Sequence, residues 1–168
     1  VVEEKTEKPP THCWRITMKT LFSLAVASAV VGLPLTAQEV TPAEAEALVK
    51  EAIKYAKAKG KEAAFKAITV SGGPFHKHGG ELYIFVYDFN GKVVAHGQGS
   101  HKVGIVQLKI KDPDGREFVA ERIQLAKSKG KGWHDYKYLN PATEKIEKKT
   151  SYIEVWEDLI FGAGIYKK

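Results

Sequence analysis

Gly132-Trp133-His134-Asp135-Tyr136-Lys137-Tyr138-Leu139-Asn140-Pro141, followed by Lys145 to Trp156 and Leu159 to Tyr166, is the stretch that decides the fold. It reads as three consecutive strands, Gly132–Leu139, Lys145–Trp156 and Leu159–Tyr166. Asn140-Pro141 and Glu157-Asp158 supply the turns between them. Alternation puts His134, Tyr136 and Tyr138 on one face of the first strand, and Trp133, Asp135 and Lys137 on the other.

Working back from this stretch, Glu117 to Lys129 has helical character, and Asp112-Pro113-Asp114-Gly115 before it is a turn. Leu82-Tyr83-Ile84-Phe85-Val86-Tyr87-Asp88 is aromatic and β-branched and apolar on both faces, as a central strand would be. Asn90-Gly91 is a strong hairpin signal, and Lys92 to His96 returns from it. Further upstream, Ser71-Gly72-Gly73-Pro74 and Gly79-Gly80 bracket a loop. Lys61 to about Ile68 reads as a short helix. Thr41-Pro42-Ala43-Glu44 opens a longer one with a capping box and proline at the first helical position. Its Ala45, Leu48, Val49, Ala52, Ile53 and Ala56 recur at helical spacing until Gly60. The expected class is α+β: one five-stranded antiparallel sheet with helices on one face.

The 168 residues leave room for one ordinary domain. With 43% hydrophobic and 27% charged residues the composition is globular. A single cysteine, Cys13, excludes an internal disulfide. The net charge of +6 is spread along the chain. Its one tight lysine group, Lys127, Lys129 and Lys131, falls where a helix ends, and a helix dipole favours cations there. No arginine-rich stripe or nucleic-acid signature is present, so nucleic acid is not expected as a partner.

Residues 18–37 read as a secretory signal peptide. Lys19 gives the positive start, Leu21 to Val31 the apolar run, Gly32 and Pro34 the break, and Leu35-Thr36-Ala37 the small residue before a cut. The apolar run of about eleven residues is too short to span a bilayer. Residues 1–17 are read as an upstream start artefact, and 38–168 as one domain with no membrane span after cleavage, periplasmic or secreted.

Candidate chemistry is sparse. His76-Lys77-His78 offers two imidazoles, short of the three or four ligands a zinc site needs. Asp112-Pro113-Asp114-Gly115 lacks the distal glutamate of a calcium loop. Ser100 beside His101 lacks the nucleophile-elbow glycines. No catalytic set, metal or cofactor is expected. The aromatic residues are more telling: Trp133, Tyr136, Tyr138, Tyr152 and Trp156 crowd two neighbouring strands, with Lys148 and Lys149 between them. Tyrosines suit a pocket wall that must also hydrogen-bond, although cross-strand packing explains the same pattern.

The 132–141 segment, Lys149-Thr150-Ser151-Tyr152-Ile153 and Ile160-Phe161-Gly162-Ala163-Gly164-Ile165-Tyr166 together resemble the single Cache domain family, type 2. Tyr83 to Gly91, Val94-Ala95-His96 and Lys111 to Phe118 match it further upstream, so the similarity runs from about Thr41 to Lys167. The resemblance implies a PAS-like sheet behind a long N-terminal helix. It implies an extracytoplasmic sensor of small molecules, often short carboxylates, serving a chemoreceptor or histidine kinase. The pocket it implies comprises Tyr83, Phe85, His96, Tyr136, Tyr138, Lys149 and Tyr152. The family's usual tryptophan is Tyr138 here, and its usual proline after His96 is Gly97. Lys149 and Tyr152 have opposite strand parity, so both enter one pocket only across a bulge. The expected function is a stand-alone exported domain that captures a small carboxylate-like ligand and relays it to a separate membrane receptor or histidine kinase. The alternative is an accessory protein-interaction module with no ligand pocket.

Overall fold

The computed structural model describes residues 39–167; the segments read as an upstream start and a signal peptide, with Cys13, lie outside them. Helix α1 spans Pro42–Lys59 and opens on the expected capping box. Glu44 donates its backbone N–H to Thr41 Oγ1 (3.3 Å), and Thr41 N–H donates to Glu44 Oε2 (2.8 Å). The six residues at helical spacing form its buried stripe. Gly60, at φ 87°, ends α1 and leads directly into α2, Lys61–Thr69.

Strand β1 is only His76–Lys77; β2 runs Leu82–Asp88 and β3 Val93–His96. In the hairpin between β2 and β3, Gly91 takes φ 78°, and the Asp88 carboxylate accepts the N–H groups of Asn90 (2.9 Å) and Lys92 (2.8 Å). Helix α3, Phe118–Lys129, precedes β4 (Lys131–Asn140), β5 (Lys145–Trp156) and β6 (Leu159–Tyr166). All pairings are antiparallel, in the order β1-β2-β6-β5-β4, with β3 also on β2. The sheet thus has six strands, one more than expected. The extra one is the two-residue β1 inside the segment read as loop, which pairs with Leu82 and Tyr83 beyond the reach of β3.

The helices also differ from the one-face expectation. Leu82, Ile84 and Val86 of β2 pack with α1 and α2, while Tyr83, Phe85 and Tyr87 pack with α3. A strand apolar on both faces needs cover on both, and α3 supplies the second layer. The turn at Asp112 anchors that layer. Its carboxylate accepts N–H groups from Asp114 and Arg116 (3.0 Å each) and from Lys137 on the β4 edge (3.3 Å). These bonds hold the Asp112 carboxyl below its ordinary range against the opposing effect of burial.

Candidate functional site

The face beneath α3 collects residues from six elements. Alternation brings Tyr83 and Phe85 of β2, His96 of β3, Tyr136 and Tyr138 of β4, and Lys149 of β5 to this side. The register runs unbroken from Lys149 through Tyr152 in both flanking ladders. No bulge restores Tyr152 to this side, so it faces α1, where its hydroxyl donates to Glu154 (2.8 Å) and its ring meets Trp133 (5.5 Å between centroids). The structure brings six of the seven expected pocket residues together and leaves Tyr152 out.

Three further residues complete the group. Arg122 projects from α3, Tyr166 from β6, and Gly164 lies beside Lys149. A Cβ on Gly164 would sit 2.6 Å from Lys149 Cε, so the glycine leaves the channel the lysine side chain occupies. Gly162 plays the same part for the Phe85 ring.

Lys149 is 1% exposed and its Nζ donates to Tyr83 Oη and Tyr166 Oη, both at 3.0 Å. Tyr166 in turn donates to the Leu139 carbonyl (2.7 Å). The ammonium lies 4.4 Å, 4.2 Å and 5.7 Å from the ring centroids of Tyr83, Tyr166 and Tyr138. An ammonium has three donors, and these hydrogen bonds use two. Arg122, also 1% exposed, sits among the rings of Phe85 (4.5 Å), Tyr136 (4.8 Å), Phe118 (5.5 Å) and Tyr87 (5.7 Å). Its Nε and Nη2 have no hydrogen-bond partner.

Burial, then the charge of Arg122, pushes the Lys149 ammonium well below the ordinary lysine range, with Glu81 opposing weakly. His96, 3% exposed, accepts the Gln98 N–H at Nδ1 (3.1 Å), leaving Nε2 as the donor of the neutral ring. Its pKa falls to about 3, first through burial and then through Lys102, Lys149, Arg122 and His101. Burial raises Tyr83 and Tyr136, so both remain protonated donors, and Tyr136 shares a 3.0 Å hydrogen bond with Ser151. The site therefore offers hydrogen-bond donors, positive charge and aromatic walls, and among the described residues no carboxylate is hydrogen-bonded to either buried cation. A set of this kind can hold an anion by charge-assisted hydrogen bonds and pack an apolar body against the rings.

A family model for the Cache domain matches residues 43–168. The chain belongs to the Cache domain family. Over 92 residues this Cache domain is 37% identical to the sensor histidine kinase MctS of Rhizobium johnstonii; the match covers 53% of this chain and 20% of that protein, so it spans about a fifth of the kinase. Solved structures share the fold. One is a periplasmic sensor domain of a chemotaxis protein (21% identity, TM-score 0.59, 73% of this chain and 88% of the other). Another is a methyl-accepting chemotaxis protein from Vibrio parahaemolyticus (22%, 0.63, 74% and 86%). A third is a Cache chemosensory domain described for carboxylic acid recognition (24%, 0.58, 73% and 86%).

The weaker chemical candidates do not assemble. His76 accepts the Gly72 N–H (3.4 Å) while His78 faces Glu44 (3.4 Å), and no group of three metal-ligating residues forms among the described residues. Ser100 and His101 lie exposed on a three-residue turn. Among the described residues, no helix is long and apolar enough to cross a membrane.

Arg122, Tyr166 and Gly164 escaped the sequence reading. Arg122 did leave a signal. Phe118, Val119, Arg122, Ile123 and Ala126 form the buried stripe of α3, and a lone arginine at an apolar-stripe position is unusual enough to single it out.

Proposed function

We propose that this Cache domain is an extracytoplasmic sensor that captures a short carboxylate between Lys149 and Arg122. One observation carries this reading: two basic side chains, each 1% exposed, share a cage in which, among the described residues, no acidic side chain is hydrogen-bonded to them and the Arg122 donors Nε and Nη2 have no partner. An unpaired buried charge costs several kcal/mol, and an anion bound at the site recovers that cost through charge-assisted hydrogen bonds. Tyr83 and Tyr166 hold the ammonium in place, Phe85, Tyr136 and Tyr138 exclude water, and His96 offers a neutral N–H. No bond is made or broken. Capture shifts the population between conformations and is read by a receptor or histidine kinase. The family assignment and the MctS similarity support this role, and the carboxylic-acid recognition named for one fold relative supports the ligand class.

A second reading, an interaction module, draws on the exposed Val103, Ile105, Val106 and Ile110 that follow β3. A thermal-shift and calorimetric screen with acetate, propionate, lactate and pyruvate separates the two. Sensing predicts a rise in melting temperature with at least one acid, abolished in Lys149→Ala. No response to any small acid would overturn the sensor reading and favour the module.

A further inference from the structure

The cage is closed, so a ligand must have a way in, and three cavities touch its wall. The first, of about 320 Å³ at the β4 edge, is lined by Tyr136, Lys148 and Lys149 but also by three carboxylates, Asp112, Asp114 and Asp135, of which Asp114 pairs with Lys137 and Asp135 with Lys167, both at 2.7 Å. The second, of about 460 Å³, sets the carboxylates of Glu81 and Glu147 against one cation, Lys167. The third, of about 410 Å³, is lined by His76, Gly97, Gln98, His101, Lys102 and Leu139 among others, with no acidic residue.

The wall of this third cavity is the back of the cage. Gly97 packs so tightly on Tyr83 that a Cβ there would lie 2.6 Å from the tyrosine Cβ. Lys102 Nζ donates to Tyr138 Oη (3.3 Å). The Leu139 carbonyl holds the Tyr166 hydroxyl at 2.7 Å. Each of the three tyrosines around the Lys149 ammonium is thus fixed from this cavity, two of them by a single hydrogen bond that a side-chain movement can break.

We propose that this cavity is the entrance to the ligand site, and that Lys102 collects the anion at its inner wall and controls passage through its contact with Tyr138. The anion part of this inference rests on the carboxylate reading above; the entrance does not. Lys102 is half-buried on a short turn, so it meets an incoming carboxylate in water before the ligand reaches Lys149. Moving onto the carboxylate would release the Tyr138 hydroxyl, coupling the arrival of charge to opening.

Cyanate tests the entrance without any assumption about the ligand. It carbamylates unprotonated amines and is small enough to enter, and peptide mass spectrometry follows Lys149 against Lys54 on the solvent side of α1. Gln98→Trp, which narrows the cavity with an indole ring, is expected to slow Lys149 about tenfold relative to Lys54. An unchanged ratio would overturn the entrance. Lys102→Gln keeps a donor for Tyr138 but loses the charge. For propionate it is expected to lower the association rate several-fold at low salt, with the difference vanishing at about 0.5 M salt. Equal rates and equal salt dependence in both proteins would overturn the role of Lys102. Where propionate does not bind, the acid of the thermal-shift screen that does is used in its place; a wild type that binds none of them overturns that role together with the carboxylate reading, while slowed cyanate modification in Gln98→Trp would still establish the entrance.

Discussion

Replacing His96 by glutamine should remove most of one acid-labile component of stability. The neutral ring is buried beside Tyr83 (5.3 Å between centroids) and Phe85 (6.4 Å), within the positive field of Lys102, Lys149 and Arg122. Its pKa is about 3 in the native state against 6.5 when free. Because the native value is depressed, protonation favours unfolding. The contribution is complete above the unfolded value and is lost as pH falls towards 3. At pH 7 the unfolded state gains only about 0.2 kcal/mol from this group, and at pH 5 about 2 kcal/mol. The loss between those two values lies mostly above the carboxylate range. Glu121, Asp112 and Asp135, all held below their ordinary values by hydrogen bonds, make their own acid losses at lower pH. His134, depressed mainly by burial, contributes in the same direction but equally in both proteins. Urea denaturation followed by tryptophan fluorescence at pH 7, 6 and 5 measures the difference directly. The glutamine side chain can still accept the Gln98 N–H, so any constant offset is small and the slope carries the information. Wild type should lose about 2 kcal/mol more than His96→Gln over this interval. Parallel curves within about 0.5 kcal/mol would refute the claim that His96 is neutral and sealed from water.

Lys149→Met keeps the volume of the side chain and removes its charge. It should abolish any carboxylate-induced thermal shift while leaving the ligand-free protein as stable as wild type or up to about 3 kcal/mol more so, read by calorimetry. Gly164→Ala places a methyl against Lys149 Cε and Ser151 Oγ, and should cost about 1–3 kcal/mol and weaken carboxylate binding in the same titration. Carboxylate binding should take up a proton. Lys149 faces Tyr83 of β2, Tyr166 of β6, Tyr136 and Tyr138 of β4, Arg122 of α3, His96 of β3 and Glu81, and burial with Arg122 depresses its basicity. A bound carboxylate reverses that effect, so affinity should fall as pH rises above the ligand-free value of Lys149, by up to about tenfold per unit. Calorimetry in buffers of different ionisation heat should show uptake of up to about one proton, and none would refute the coupling.

The parts of the fold carried by local rules were legible in the sequence. The capping box at Thr41, the Asn90-Gly91 hairpin, the Asp112 turn and the ends of β5 and β6 all rest on contacts within a few residues. Placement of α3 was less accessible, because one amphipathic helix can cover either face of a sheet. The clue lay in β2, whose two apolar faces demand two covers. Strand parity likewise separated Lys149 from Tyr152 before any coordinates, whereas similarity of pattern placed them together. Parity prevailed because an antiparallel ladder without a bulge allows only one face per residue. Arg122 draws no attention inside the Glu117–Lys129 helix, since arginine usually belongs to the solvent side. Only its position four residues after Phe118 sets it apart.

The two cations stand on different parts of the fold, and this gives capture a mechanical consequence. Lys149 belongs to β5 and is held by tyrosines of β2 and β6, so it is fixed to the sheet. Arg122 belongs to α3, which reaches the sheet chiefly through β4 and is latched there by Glu121 to His134 (2.9 Å) and Arg116 to the Asp135 carbonyl (3.0 Å). Without an anion, burial and the charge of Arg122 oppose protonation of Lys149, so charge on both sides of the cage is costly. An anion between them turns that opposition into two attractions. A ligand can move a conformational equilibrium only by its differential affinity for the two states. An apolar ligand filling the same space would bind both arrangements of α3 about equally and transmit little. Because the charges are split between helix and sheet, the carboxylate, more than the apolar tail, carries the signal in the proposed mechanism.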